Sequence, residues 1–127
     1  MSDDLLKLAA RCEAATGPDR EIDAAIAATA RHGTEHTWAY GYPAWLAASD
    51  GRVHLAKNGP SFAAPAYTAS LDAAMTLRPK GWDWQYSSAT GTARVWLGDG
   101  RVHNSTGNAA TPELALCAAA LRAKAVQ

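Results

Sequence analysis

The feature that most constrains the fold is a stretch of alternating aromatic and polar residues just past the middle of the chain. Trp82, Trp84 and Tyr86 alternate with polar residues, which is the period-two pattern of a strand with one buried face. Turns containing glycine lead into two further strand-like runs, 93–97 and 101–103. This pattern predicts an antiparallel sheet with an apolar face, and such a sheet needs helices to cover it.

Apolar residues at helical spacing predict three helices before this sheet. The first spans about 3–15 and stops at a Gly-Pro pair. The second runs from Asp19, whose carboxylate can cap it, to Gly33. A short third helix follows Ser70, which is suited to capping, and ends near residue 77.

The last helix has the clearest start signal in the chain. Thr111 is placed to cap it, Pro112 occupies the first helical position, and Glu113 complements the positive end of the helix dipole. Its predicted core face consists of Leu114, Cys117 or Ala118, and Leu121.

The region between the second and third helices is rich in aromatic residues, Gly and Pro. A hairpin is indicated inside it, because two β-prone runs, 45–48 and 52–55, flank an Asp-Gly turn. The predicted order is therefore α-α-β-β-α-β-β-β-α, an α+β fold with an antiparallel sheet layered with helices. We expect a single domain over 1–127, with an aromatic and hairpin insertion at about 37–66.

Composition limits the functional classes. The 127 residues are 48% hydrophobic and 19% charged with a net charge of zero, which is typical of a globular chain and argues against a broad nucleic-acid-binding surface. No apolar run is long enough for a membrane span, and the acidic start differs from a secretory signal, so we expect a cytoplasmic protein. Cys12 and Cys117 lie on apolar helical stripes, which favours buried thiols over a disulfide.

The charge is distributed unevenly along the chain. Residues 1–77 hold six Lys/Arg against nine Asp/Glu, and residues 78–127 hold six against three. This asymmetry suits either a homo-oligomer or an acidic partner for the C-terminal part, although both parts can also share one neutral globule.

The sequence Asp-Gly-Arg-Val-His occurs twice, at 50–54 and 99–103, each time after a Trp-Leu pair. Turn chemistry alone can produce this repeat, because Asp-Gly suits tight hairpin turns. The functional alternative is that both hairpins present Arg and His on equivalent solvent-facing strands as a cationic surface for an anion. The residues of that surface are Arg52, His54, Arg101 and His103.

Trp96 is out of phase with its apolar neighbours Val95 and Leu97, so it points to the opposite face of its strand beside Arg94. We expect a second helical layer to cover it, because large apolar rings usually find cover. If it is exposed, Trp96 with Arg94, Arg101 and His103 would form a stacking and cationic pocket for a nucleotide.

Several blocks of the chain resemble the phage ABA sandwich domain family. They are PAYTASLDAA at 65–74, GWDW at 81–84 and ATPELALCAAALRA at 110–123, and the start ARCEAATGPDRE at 10–21 is also similar. The resemblance covers about half of the chain. It implies a phage or prophage origin and an α/β/α sandwich, and it brings no established activity and no agreed functional residues.

One motif has a catalytic interpretation. His32, Glu35 and His36 match the H-x-x-E-H pattern in which two histidines hold zinc and a glutamate acts as base. Gly33 lies inside the motif, however, and the motif falls at a predicted helix end. The chain has no G-x-S-x-G elbow and no phosphate-binding glycine loop, so we expect no enzyme, no metal and no cofactor.

The order of the last five elements is that of the double-stranded-RNA-binding domain. Such domains bring a cationic cluster to the start of the final helix to meet phosphates. Here that position reads Thr111-Pro112-Glu113, which carries an acid and no cation. We therefore expect no nucleic-acid partner.

The sequence predicts a non-catalytic phage- or prophage-encoded accessory binding protein in the host cytoplasm, a host-interaction or anti-defence factor whose partner is a host protein. The first alternative is an oligomer that sequesters a small anionic nucleotide, and the second is a zinc-dependent hydrolase using His32, Glu35 and His36. The candidate ligand-binding residues are Arg52, His54, Arg94, Trp96, Arg101 and His103.

Overall fold

The structure is a computed structural model that describes residues 2–31, 45–47, 50–55 and 61–126. These residues form the helices α1 (Ser2–Ala14), α2 (Arg20–Arg31), α3 (Leu71–Met75) and α4 (Pro112–Ala125). The strands are β1 (Trp45–Ala47), β2 (Arg52–Leu55), β3 (Ser61–Ala63), β4 (Asp83–Ser87), β5 (Thr92–Leu97) and β6 (His103–Asn108). The predicted α+β class and the order of helices and strands are confirmed, with β3 as an additional short strand. No helix among the described residues is both long enough and apolar enough to cross a bilayer.

The chain divides into two compact units. The first contains Met1–Asp19 and Ala66–Gln127, and the second contains Arg20–Pro65. The antiparallel sheet β4-β5-β6 with α1, α3 and α4 belongs to the first unit, and the antiparallel sheet β1-β2-β3 with α2 belongs to the second. The single domain with an insertion at about 37–66 stays a prediction.

Helix α4 is the centre of the first unit. Its predicted start is confirmed: the Thr111 hydroxyl accepts a hydrogen bond from the Leu114 amide at 3.2 Å, and Pro112 opens the helix. The predicted core residues Leu114, Cys117, Ala118 and Leu121 are all buried, and the buried surface is wider than predicted, because every residue from Leu114 to Leu121 is buried. The helix contacts α1, α3, β5 and β6, and its many small alanine side chains allow neighbours to approach from several directions.

The sheet of the first unit has two distinct faces. Ala93 and Val95 on the central strand β5 are fully buried, while Thr92, Arg94 and Trp96, which alternate with them, are only half-buried. Because α4 contacts β5 and β6, the buried face is the one that α4 covers.

Gly107 marks the closest approach between the sheet and α4. A Cβ atom built on Gly107 would lie 2.7 Å from Cβ of Ala118 and 2.7 Å from the backbone nitrogen of Ala119, and it would also overlap the Ala115 carbonyl oxygen. Backbone atoms of a buried helix cannot move aside cheaply. The glycine is therefore a packing requirement.

We predict that Gly107→Ala lowers the free energy of unfolding by about 2–3 kcal/mol, since overpacking forces β6 and α4 apart. Urea denaturation followed by circular dichroism measures this loss. Gly17→Ala is the matched control, because a Cβ atom there meets nothing within 4 Å. Equal stabilities of the two variants would contradict the close approach.

An ion pair joins α1 to α4 and to the edge of the sheet. Arg122 Nη2 donates to Glu13 Oε1 at 2.6 Å, and Arg122 Nη1 donates to Glu13 Oε2 at 2.8 Å. The same two side chains satisfy the β6 backbone, because Arg122 Nη1 donates to the Thr106 carbonyl at 2.8 Å and Glu13 Oε2 accepts from the Asn108 amide at 2.9 Å. The hydrogen bonds from Arg122 are the main cause of a lowered pKa of Glu13, and the Asn108 amide adds to it against the opposing effect of burial.

Because the pKa of Glu13 is lowered in the folded state, its contribution to stability is present above the ordinary carboxyl pKa of about 4.3 and is lost as the pH falls through the lower folded value. We predict that Glu13→Gln lowers the free energy of unfolding by about 1–2 kcal/mol at pH 7. In urea titrations the stabilities of wild type and variant should converge as the pH falls below the lowered pKa of Glu13. Asp83→Asn, which removes an exposed carboxylate, is the control. A constant difference between wild type and Glu13→Gln across this pH range would contradict the account.

In the second unit, Arg20 joins the start of α2 to the hairpin. Its Nη1 donates to Oδ2 of the buried Asp23 at 2.8 Å, and its Nη2 donates to the Ala64 carbonyl at 2.8 Å and the Gly51 carbonyl at 3.4 Å. A buried carboxylate needs such a partner, so this pair orders the turn and the strand end that it touches.

Both cysteines are buried, and neither forms a disulfide, as predicted. The Cys117 thiol donates a hydrogen bond to the Tyr67 carbonyl at 3.3 Å. Each sits on a helix that packs inside the first unit, where apolar neighbours surround a small side chain of this kind.

Candidate functional site

The face of the β4-β5-β6 sheet opposite to α4 is formed by three rows of side chains, and we call it the outer face. All of its side chains are half-buried or exposed. In the cross-strand register the rows are Asp83–Trp96–Asn104, Gln85–Arg94–Thr106 and Ser87–Thr92–Asn108. The outer face therefore displays hydrogen-bonding groups around one aromatic ring and one guanidinium.

Arg94 and Trp96 form the centre of the outer face. The guanidinium carbon of Arg94 lies 4.6 Å from the centroid of the Trp96 ring, which is a cation–π contact. Arg94 Nε donates to Asn104 Oδ1 on the adjacent strand at 3.1 Å. The guanidinium is thus held from two sides in a defined orientation.

The backbone of Gly100 limits the position of this pair from a third side. Gly100 is buried with φ +77°, and a Cβ atom there would lie 2.6 Å from Arg94 Nη2 and 3.5 Å from Cβ of Trp96. The turn between β5 and β6 therefore passes close over the stacked pair. Within the described residues, the cover that we expected a helix to give Trp96 comes from Arg94 and this turn.

A shallow, open groove lies beside the stacked pair on the β4 side of the outer face. It has a volume of about 270 Å³ and is lined by Gln85, Ser87, Thr90, Thr92 and Arg94. Its polar groups are an amide, three hydroxyls and a guanidinium, which suit a ligand that both donates and accepts hydrogen bonds. The volume lies just below the usual range of small-molecule pockets, so a single side chain fits it better than a nucleotide does.

The structure does not bring all the ligand-binding residues predicted from the sequence into one site. Arg94 and Trp96 come together as described. Arg52 and His54 lie on β2 in the second unit, where Arg52 Nη2 donates to the Ser61 hydroxyl at 3.0 Å; the side chain of His54 lies outside the described part of the structure. Arg101 lies in the turn before β6 and is highly exposed, with its Nε 3.4 Å from Asp99 Oδ2.

His103 does not join Trp96 in one pocket, and this part of the prediction was wrong. His103 pairs with Leu97 in the strand register, whereas Trp96 pairs with Asn104. Successive residues of a strand point to opposite faces, so His103 belongs to the face opposite to Trp96. Its ring lies 5.7 Å from the ring of the buried Trp82.

The two copies of the Asp-Gly-Arg-Val-His sequence form the same kind of turn, but the strands that follow differ. In both copies the Asp carboxylate accepts a hydrogen bond at 3.0 Å from the amide of the Arg two residues later, and the Gly has positive φ. The copies then diverge, because Val53 is 0% exposed in β2 whereas Val102 is 83% exposed ahead of β6. The predicted strand from Arg101 in fact begins at His103, so the two copies do not present equivalent surfaces.

The three residues of the catalytic interpretation, His32, Glu35 and His36, lie outside the described part of the structure. The same is true of most of the aromatic stretch from Trp38 to Phe62. Within the described ranges, no three His, Cys, Asp or Glu side chains are grouped so that they can hold a metal ion.

Comparison with known proteins gives no relative. The chain matches no family model, no curated protein and no solved structure. These comparisons therefore add nothing about function.

Sequence reasoning missed the polar residues that surround Arg94. Asn104 and Thr106 lie in a run of small polar residues that carries no apolar alternation, and Gln85 is one of the polar partners in the β4 pattern. The sequence does contain one relevant pattern: polar residues occupy every second position on neighbouring strands, so they can share one face of the sheet. Using it requires the register, which the sequence alone does not provide.

We predict that the outer face contributes less to stability than the buried face of the same strand. Arg94→Ala should lower the free energy of unfolding by less than about 1 kcal/mol, because the side chain is partly exposed. Val95→Ala, one residue away, should cost about 2 kcal/mol because it leaves a cavity. Urea denaturation of the two variants checks this contrast. Equal losses would mean that Arg94 is a structural residue.

Proposed function

We propose that this chain is a non-catalytic binding module whose binding surface is the outer face, and that its partner is a protein that presents a carboxylate to Arg94. The observation that carries this proposal is the held guanidinium. Among the described residues, Asn104 is its one hydrogen-bond partner and uses only Nε, so the Nη1 and Nη2 groups keep hydrogen bonds to offer on the side that the Gly100 turn does not cover. A guanidinium edge of this kind binds a carboxylate with two parallel hydrogen bonds.

The surroundings of Arg94 support a protein partner. Tryptophan and arginine are the residues most enriched at the energetic centres of protein interfaces. Here they are ringed by Asn, Gln, Ser and Thr side chains and by Asp83, which supply polar groups like those at the rim of an interface. Since Arg94 is fixed before binding, little side-chain entropy is lost when the partner docks.

The charge of the outer face argues against a nucleotide. Its three rows hold one cation, Arg94, and one carboxylate, Asp83. A polyphosphate ligand needs several converging cations, and within the first unit Arg101 lies in an exposed turn and His103 on the face opposite to Trp96. A single carboxylate needs only one guanidinium.

The biological setting is part of the proposal and rests on the sequence resemblance. A phage ABA sandwich protein of this size would act in the host cytoplasm as an accessory factor, and a host protein is then the natural partner. A host-interaction or anti-defence role is consistent with a module that works by occupying a surface.

We predict that the wild-type protein captures a partner protein from bacterial cells. The Arg94→Ala variant should capture at least about tenfold less of this partner, because the contact with its carboxylate is removed. Arg101→Ala is the matched control: it makes the same change in charge at a highly exposed turn residue and should leave capture unchanged. Quantitative mass spectrometry of the captured proteins measures the ratios.

Native mass spectrometry of the protein purified from cells separates this proposal from nucleotide sequestration. We expect the purified protein to carry no bound small molecule. A stoichiometric phosphate-bearing ligand, or capture that is lost equally in Arg94→Ala and Arg101→Ala, would contradict it.

A further inference from the structure

The two edges of the β4-β5-β6 sheet differ in how their backbone groups are used. The Ala109 amide donates to the Gly91 carbonyl at 3.1 Å, which continues the β5–β6 register. Backbone amides and carbonyls point to alternate sides along an antiparallel strand. The amide and carbonyl groups of Thr106 and Asn108 in β6 therefore point away from β5. By the same alternation, the backbone amides and carbonyls of Trp84 and Tyr86 in β4 point away from β5, at the opposite edge of the sheet.

The β6 edge is blocked by side chains of its own unit. Arg122 donates to the Thr106 carbonyl, and Glu13 accepts from the Asn108 amide. These contacts occupy two of the backbone groups that another strand would need, and they place two charged side chains against the edge, which is one way in which proteins protect sheet edges.

The β4 edge has no such protection within the described part of the chain. Arg78 Nη1 donates to the Trp82 carbonyl at 2.7 Å, and the Trp82 amide donates to the Pro79 carbonyl at 3.1 Å, so the edge is closed at that end. For the outward amides and carbonyls of Trp84 and Tyr86, the described structure records no hydrogen-bond partner. The strand carries no proline and no lysine, the residues that commonly prevent strand addition.

We propose that β4 pairs with β4 of a second copy of this chain, so that two sheets join into one continuous six-stranded sheet. The proposal rests on the backbone of this edge and not on the proposed function. The closed end at Trp82 and the turn after Ser87 leave one symmetric antiparallel register in which the whole strands overlap. In that register a two-fold axis passes beside Gln85, and Trp84 of one copy forms hydrogen bonds with Tyr86 of the other.

The side chains fit this register on both faces. On the outer face, Gln85 meets Gln85 of the second copy, and Asp83 meets Ser87, so no like charges oppose each other. On the other face, Trp84 meets Tyr86 of the second copy, and both rings are half-buried in one copy alone. Aromatic cross-strand pairs of this kind stabilise antiparallel sheets.

The pairing extends the groove on the outer face. A two-fold axis perpendicular to a sheet keeps the outer faces of both copies on the same side. Asp83 and Gln85 of the second copy would then border the groove that Gln85 and Ser87 line. Arg94 of each copy lies in the row of Gln85, which places the two Arg94 Cα atoms about 14 Å apart, three strand spacings.

Cysteine trapping tests the register. In the proposed dimer, residues at position 85 form a non-hydrogen-bonded pair with Cα atoms about 4.5 Å apart, within disulfide range. Gln85→Cys should therefore form a covalent dimer under mild oxidation at least about tenfold faster than Thr106→Cys, an exposed position on the same face of β6. Cys12 and Cys117 are buried and should not take part.

A charge variant tests the same pairing without a covalent bond. The strand pair is short, so we expect a dissociation constant on the order of 100 µM for the wild type in sedimentation velocity. Gln85→Glu should be monomeric at the same concentrations because two carboxylates meet at the axis, whereas Thr106→Glu should dimerise like the wild type. Circular dichroism melts confirm that each variant is folded. A wild type that stays monomeric up to about 1 mM, or equal trapping rates for the two cysteine variants, would overturn the proposal.

Discussion

Burial of α4 on every side is the constraint on which the rest of the first unit depends. A helix whose residues from Leu114 to Leu121 are all buried needs neighbours around its whole circumference, and α1, α3 and the sheet provide them. The close fit at Gly107 shows how near the sheet must come. Since α4 takes one face of the sheet, the other face is the one on which polar and aromatic side chains can be displayed.

The Glu13–Arg122 pair links this packing to the edges of the sheet. It ties α1 to α4, and it also bonds two of the outward backbone groups of β6. The consequence is an asymmetric sheet: the β6 edge is used for internal cohesion, and the described residues make no such contacts with the outward groups of Trp84 and Tyr86 on the β4 edge. The outer face and the β4 edge are adjacent, so binding and self-association would share Gln85 and Ser87.

Local features of the fold could be predicted from the sequence because each depends on a few consecutive residues. The alternation in β4 and the caps Ser70 and Thr111 are of this kind, and the structure has them where the sequence indicates. The all-round burial of α4 was missed because alanine is compatible with both core and surface, so its pattern shows no stripe. Asp23 was missed because a buried carboxylate is recognisable only once its partner Arg20 is placed.

The candidate site was predictable in part for the same reason. That Arg94 and Trp96 share a face follows from their spacing on one strand. The positions of Arg101 and His103 depend on how many residues the turn uses, and the strand begins at His103 rather than at Arg101. This shift decides which residues face Trp96, so Asn104 occupies the place that the sequence had suggested for a histidine.

The central claim is that α4 covers one face of the sheet and that no described helix of the first unit covers the other. NMR with a soluble paramagnetic agent tests it directly, by comparing the indole N–H signals of Trp96 and of Trp82, which is 4% exposed. The account predicts strong broadening for Trp96 and protection of Trp82. Equal protection of both rings in the intact chain would contradict it.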